Sequence, residues 1–103
     1  MARAKADELA KAYRDGLAGF IGALERADTA GRFDDPSNFA SMLELSLTRY
    51  GLSATALAED EKISKGAISK WMHGQAVPSS PARKTVVGWI KRKAREQLES
   101  IDR

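Results

Sequence analysis

Two short stretches of this chain carry the same helix-start signal, and they begin only eleven residues apart. Leu52-Ser53 is followed by Leu57, and Ile63-Ser64 is followed by Ile68. In each, a serine able to cap free backbone N–H groups stands between one apolar residue and another four positions beyond it, the spacing of a hydrophobic staple. A chain that restarts a helix so soon holds two helices of about two turns each. The first is expected to open at Ser53 and end near Glu59 or Asp60. The second is expected to open at Ser64 and run to about His73, where Gly74 stops it. Two short helices joined by about four residues meet the geometric requirement of a helix-turn-helix, whose second helix enters the major groove of DNA.

The remaining periodicities are helical too. From about Ala4 to Ala27, Leu9, Tyr13, Leu17, Phe20, Ile21 and Leu24 make one apolar stripe. Gly16, Gly19 and Gly22 interrupt it, each costing about 0.8–1 kcal/mol relative to alanine, so either another helix approaches closely there or the helix is soft. Asp28 to Asp35 carries turn formers and charge. Asp35-Pro36 then supplies an N-cap with proline at the first helical position, and Phe39, Leu43, Leu47 and Tyr50 continue a helix that Gly51 closes. Gln75 to Ser79 reads as a loop. Ser80-Pro81 repeats the cap-plus-proline signature ahead of Val86, Ile90, Ala94, Leu98 and Ile101, a last helix reaching nearly to the C-terminus. The expectation is an all-α chain of five helices: residues 1–35 an N-terminal amphipathic helix and linker, residues 36–103 a helix-turn-helix domain ending in a long helix.

Composition removes several kinds of chemistry. The chain has 103 residues, one histidine (His73) and no cysteine, so zinc fingers, iron–sulfur clusters, thiol nucleophiles and disulfides lack their ligands, and no metal or cofactor is expected. Asp34-Asp35 is an adjacent carboxylate pair, but it precedes a helix-starting proline and reads as capping, so no enzymatic activity is expected. The longest mostly apolar stretch, Leu17 to Leu24, falls far below the roughly 18 residues that cross a bilayer. The N-terminal MARAKADE mixes basic and acidic residues and does not read as a secretory signal. The expected location is the cytoplasm, without a membrane partner.

The net charge of +3 conceals a division. Up to Glu61 there are seven Lys/Arg against eleven Asp/Glu, a balance of −4; from Lys62 onward there are ten against three, a balance of +7. A cationic half of this kind is expected to face a polyanion.

The run Leu57-Ala58-Glu59-Asp60-Glu61-Lys62-Ile63-Ser64-Lys65-Gly66-Ala67-Ile68-Ser69-Lys70-Trp71-Met72-His73-Gly74, followed by Pro78, resembles the lambda-repressor-like helix-turn-helix of Cro and Xre-type regulators. The pattern is LAxxxxISxxxISxWxxG, and the resemblance extends over roughly Asn38 to Ala82. Ala58, Ile63, Ile68 and Trp71 suit packing between the two helices. The resemblance implies that Lys65, Gly66, Ser69 and Lys70 face base edges, where lysine can donate to guanine O6/N7 and Gly66 permits close backbone approach. It also implies phosphate contacts near the start of the first short helix and around the second, with Ser53, Thr55, Ser64, His73, Gln75, Ser79, Arg83 and Lys84 as candidate donors.

Three positions depart from the family pattern. Ala54 stands where glutamine often clamps a phosphate, Glu61 stands where the family is commonly apolar, and Lys62 stands where it usually has glycine. A lysine at positive φ costs about 1–2 kcal/mol. What the resemblance implies is a sequence-specific regulator of double-stranded DNA, a repressor acting as a homodimer on an inverted repeat, with dimerisation through the glycine-bearing first helix or the Val86–Ile101 stripe. The alternative is an antitoxin-like or anti-activator module that keeps the fold and binds another protein.

Overall fold

The structure is a computed structural model that describes the backbone of residues 2–102 and the side chains of residues 7–102. Arg3, Lys5 and Arg103, counted in the charge division, lie outside the described side chains. Helix α1 spans Ala2–Thr29, a 3-10 turn spans Arg32–Asp34, and α2 spans Pro36–Thr48; α3 (Ala54–Glu61), α4 (Lys65–Met72) and α5 (Ser80–Ile101) follow. The chain is all-α with five helices, without a strand among the described residues. None of these helices is long and apolar enough to cross a membrane.

Each start signal has a visible cause, with two corrections. Asp35 caps α2, its carboxylate accepting from the backbone N of Ser37 at 2.8 Å and of Asn38 at 3.3 Å. Asp34 does not share that role: its carboxylate pairs with Arg83 at 2.9 Å, tying the turn before α2 to the start of α5. The cap of α5 is Ser79, whose Oγ accepts from Ala82 N at 3.3 Å, so Ser80 is already helical and Pro81 follows it in the first turn. Proline fits there because those N–H groups have no helical acceptor.

Helix α2 ends two residues before the expected Tyr50. Beyond the helix, Tyr50 turns inward: it is buried and stacks on Phe20 with ring centroids 4.4 Å apart. Its hydroxyl donates to the Gly16 carbonyl at 3.2 Å, and its own carbonyl accepts from Tyr13 and Gln97. One tyrosine therefore fastens the end of α2 to both α1 and α5.

Helices α1 and α5 run antiparallel. As α1 ascends from Tyr13 and Arg14 to Asp28, its partners on α5 descend from Gln97 and Asp102 to Lys91. A single core joins the helices. Leu17 and Leu24 of α1, Phe39 and Leu43 of α2, Leu57 of α3, Ile68 of α4 and Val86, Trp89, Ile90 and Ala94 of α5 are essentially inaccessible to solvent. Burying each of the Leu, Ile, Val and Phe side chains among them contributes about 1.5–3 kcal/mol.

The apolar stripes are shorter than the sequence implies. Leu9 is 65% exposed, Tyr13 38% and Ile101 37%, so the end of the α1–α5 pair where the start of α1 meets the end of α5 lies outside the core. Two large buried aromatics fall outside the expected stripes. Phe33 sits in the 3-10 turn, where no helical periodicity announces it, and Trp89 lies three residues after Val86 on the same helix face. The glycines of α1 are not crossed by another helix of the protomer: a Cβ at Gly19 would meet no atom within 4 Å.

Candidate nucleic-acid interface

The α3–α4 unit is built from its caps outward. Ser53 Oγ accepts from Ala56 N at 3.0 Å and Ser64 Oγ accepts from Ala67 N at 3.0 Å, so both expected capping serines begin their helices. Between them α3 closes on Lys62, the one non-glycine residue with positive φ among the described residues (φ 54°, ψ 47°). Ile63 N donates back to the Ala58 carbonyl at 3.0 Å, the six-to-one bond of a Schellman closure. The apolar contact that usually accompanies this bond involves the same two positions, and both side chains pack against the core. The turn thus adopts the left-handed geometry in spite of the lysine. Its strain, about 1–2 kcal/mol, is offset by the packing of Ile63 and Ala58.

Glu61 and Asp60, at the end of α3, are held by α5. Glu61 lies 3.5 Å from Arg92. Asp60 accepts from the buried Trp89 Nε1 at 2.9 Å and lies 3.8 Å from Lys93. The departure at Glu61 is therefore satisfied by an ion pair. These five residues of α3 and α5 fix α3, and α4 through it, against the long helix. They were absent from the site expected from sequence, because the partners lie about thirty residues apart with no shared local pattern.

Helix α4 presents two unlike faces. Ile68 is buried, and Trp71, half-buried, sets its ring edge-on to Phe39 at 6.4 Å. With roughly 100° per residue, Lys65, Ser69, His73, Gly66 and Lys70 fall within an arc of about 140° on the opposite side. All five are exposed. Gly66 leaves bare backbone in that arc, since the nearest atom to a Cβ there is Ser64 Oγ at 4.0 Å. His73 turns its Nδ1 onto the Ser69 carbonyl at 2.8 Å. A carbonyl can only accept, so Nδ1 donates, leaving Nε2 as the ring nitrogen open to an outside partner.

The remaining candidates divide by what already holds them. Thr55, Gln75 and Lys84 are exposed. Ser53, Ser64 and Ser79 spend an acceptor lone pair on capping, while each hydroxyl proton stays available for donation. Arg83 is engaged by Asp34 and Ser80, and only 16% of its side chain is exposed, so it is the candidate least able to reach a phosphate.

The ion pairs redraw the charge division. Of the nine described basic side chains from Lys62 onward, Arg83, Lys91, Arg92, Lys93 and Arg95 pair with acids, all five with acids of the first half of the chain; Asp34, Asp28, Glu61 and Glu25 hold Arg83, Lys91, Arg92 and Arg95. Lys93 pairs with Asp60 and Glu96. Among the described residues, Lys62, Lys65, Lys70 and Lys84 make no ion pair. The excess of positive charge is therefore largely internal glue along α5, and the cations left over in this half gather on the α3–α4 turn, on α4 and at the start of α5.

Compared with protein-family models, with curated proteins and with solved structures, the chain matches none.

Proposed function

We propose that the chain is a sequence-specific double-stranded DNA-binding regulator in which α3, the turn and α4 act as a lambda-repressor-like helix-turn-helix, with α4 in the major groove. The observation that carries this reading is the exposed arc of α4: two lysines without an acidic partner, a serine, and bare backbone at Gly66, on a helix whose other face is anchored in the core. Lys65 and Lys70 donate to guanine edges, and Ser69 adds a weaker contact. Lys62, Lys84, Thr55, Gln75 and the capping serines lie toward the flanking phosphates, where they set register without reading sequence.

One such helix reads only a few base pairs. A homodimer on an inverted repeat, with half-sites about 34–36 Å apart, supplies the missing affinity and specificity. Repression by promoter occupancy in the cytoplasm, without catalysis or cofactor, is the output of this reading. Selection from a random duplex library tests the proposal. The expected result is an enriched inverted repeat; a library that stays random after repeated rounds, with binding insensitive to salt, would overturn it.

A second reading, a module that binds another protein, is favoured by an apolar groove away from α4. It lies between α1, the 3-10 turn and α2, encloses about 230 Å³ and is edged by the part-exposed Leu45.

A further inference from the structure

The Val86–Ile101 stripe cannot make a dimer, because Val86, Ile90 and Ala94 are fully buried in the protomer's own core. The outer face of α1 is different. Opposite the buried Leu17, Phe20, Ile21 and Leu24, this helix presents Asp15, Ala18, Gly19, Gly22, Ala23 and Arg26, all exposed except the half-buried Gly22. Beside it lies the groove just described, floored by Phe20, Leu24, Phe33 and Met42 and sharing Ala23 with the helix face. Ser41 is its one polar lining residue. Apolar surface of this kind next to a small-residue helix face calls for a cover.

The order of residues along that face identifies the cover. Counted inward from both ends it reads acid, two small residues, two small residues, base, symmetric about the point between Phe20 and Ile21. Laid antiparallel on a second α1, Gly19 meets Gly22, Ala18 meets Ala23, and Asp15 meets Arg26 of the second copy, and each pairing occurs twice across the two-fold axis. The ends attract and the centre allows close approach. Within the protomer these residues have little other employment. Arg26 makes no ion pair among the described residues, its guanidinium lying over Gly22, and Asp15 pairs only with its chain neighbour Arg14. Gly19 weakens the helix without any neighbour in the protomer that requires a glycine.

We infer that the outer face of α1 and the adjoining groove are the self-association surface of the chain, and that a second copy, antiparallel across a two-fold axis through Phe20-Ile21, is its occupant. Helix α1 packs on α5 and the 3-10 turn, whereas α4 packs on α2 and α3, so this dimer leaves both α4 faces open. The inference deepens the proposed function by naming the surface behind its homodimer, and it rests on that reading only for the use of the dimer on DNA.

Sedimentation equilibrium of the full chain without DNA, up to about 100 μM, tests it. The wild type is expected to be dimeric. Gly19→Gln is expected to keep or raise the thermal midpoint seen by circular dichroism, because a Cβ there meets no atom within 4 Å and a glycine leaves the helix interior, while weakening the dimer by at least about tenfold. Asp15→Arg and Arg26→Asp each weaken it on the order of tenfold, since each reversal acts twice, and the double variant restores it to within about threefold. A monomeric wild type, a Gly19→Gln dimer as tight as wild type, or a charge cycle without rescue would overturn the inference; an indifferent dimer would move self-association elsewhere and leave the groove to a different protein. Because no DNA is present, failure here is distinguishable from failure of the DNA-binding reading, which the duplex selection measures alone.

Discussion

Replacing Asp60 by alanine probes how the α3–α4 unit is held. Its carboxylate accepts from Trp89 Nε1 at 2.9 Å, and Trp89 is 1% exposed. A hydrogen bond to a charged group contributes about 1.5–3 kcal/mol. The Asp60 side chain is 43% exposed, so solvent screening puts the value at the lower end; the orphaned indole N–H then adds its own desolvation penalty. A loss of about 1.5 kcal/mol lowers the thermal midpoint of a domain of this size by about 6–12 °C. Asp60→Asn keeps an acceptor oxygen and gives up only the charge, for an expected loss under about 1 kcal/mol. Trp89→Phe removes the donor, so Asp60→Ala in that background should cost under about 0.5 kcal/mol more. Thermal and urea melts of the wild type and these four variants, followed by circular dichroism, give the cycle and the Asn comparison. Equal losses for Asn and Ala, or an alanine effect unchanged by Trp89→Phe, would show that the bond between α3 and α5 is not what holds the unit.

Lys62→Gly removes the left-handed strain of the turn and should raise stability by about 1 kcal/mol in the same melts; a loss would mean that the lysine stem packs usefully there. Phe33→Ala should cost about 3 kcal/mol, because Phe33 is 7% exposed and belongs to the core cluster although it sits in a turn. In DNA titrations with a selected duplex, Lys65→Ala or Lys70→Ala should lower affinity by about 1–3 kcal/mol and relax preference at one or two base pairs. Lys84→Ala should instead weaken all sequences alike and flatten the salt slope, while Arg92→Ala, already paired with Glu61, should stay within about twofold of wild type.

The helices were legible because their signals are local. Asp35, Ser53 and Ser64 cap as their sequence contexts predict, and Gly74 ends α4 in the left-handed region. Where two signals compete, local pattern does not choose between them: Ser79 and Ser80 both precede Pro81, and it is Ser79 that stays extended and caps the helix. Long-range features were illegible for a related reason. Phe33 is buried because a turn folds over α1, and Trp89 finds Asp60 through packing of helices far apart in sequence. The exposed positions of the α4 arc follow from helical period alone once Ile68 and Trp71 are turned inward. The charge division was the most misleading signal. The same Lys and Arg residues that suggest a polyanion partner in sequence mostly answer acids of α1, α3 and the 3-10 turn in the fold, and the lysines on and beside α4 emerge only after those pairs are known.

Mapping amide chemical shifts of the isotope-labelled chain during titration with its selected duplex reports directly on which surface meets DNA. The expected map has its largest changes at Ser64 to His73, smaller ones at Ser53 to Thr55 and Gln75 to Lys84, and a dependence of log affinity on log salt with slope about −4 to −7, from half to all of the four unpaired lysines in each protomer of a dimer. Changes confined to α1 and the groove beside α2, or no saturable change with any duplex, would contradict DNA recognition by α4 and leave the chain as a protein-binding module.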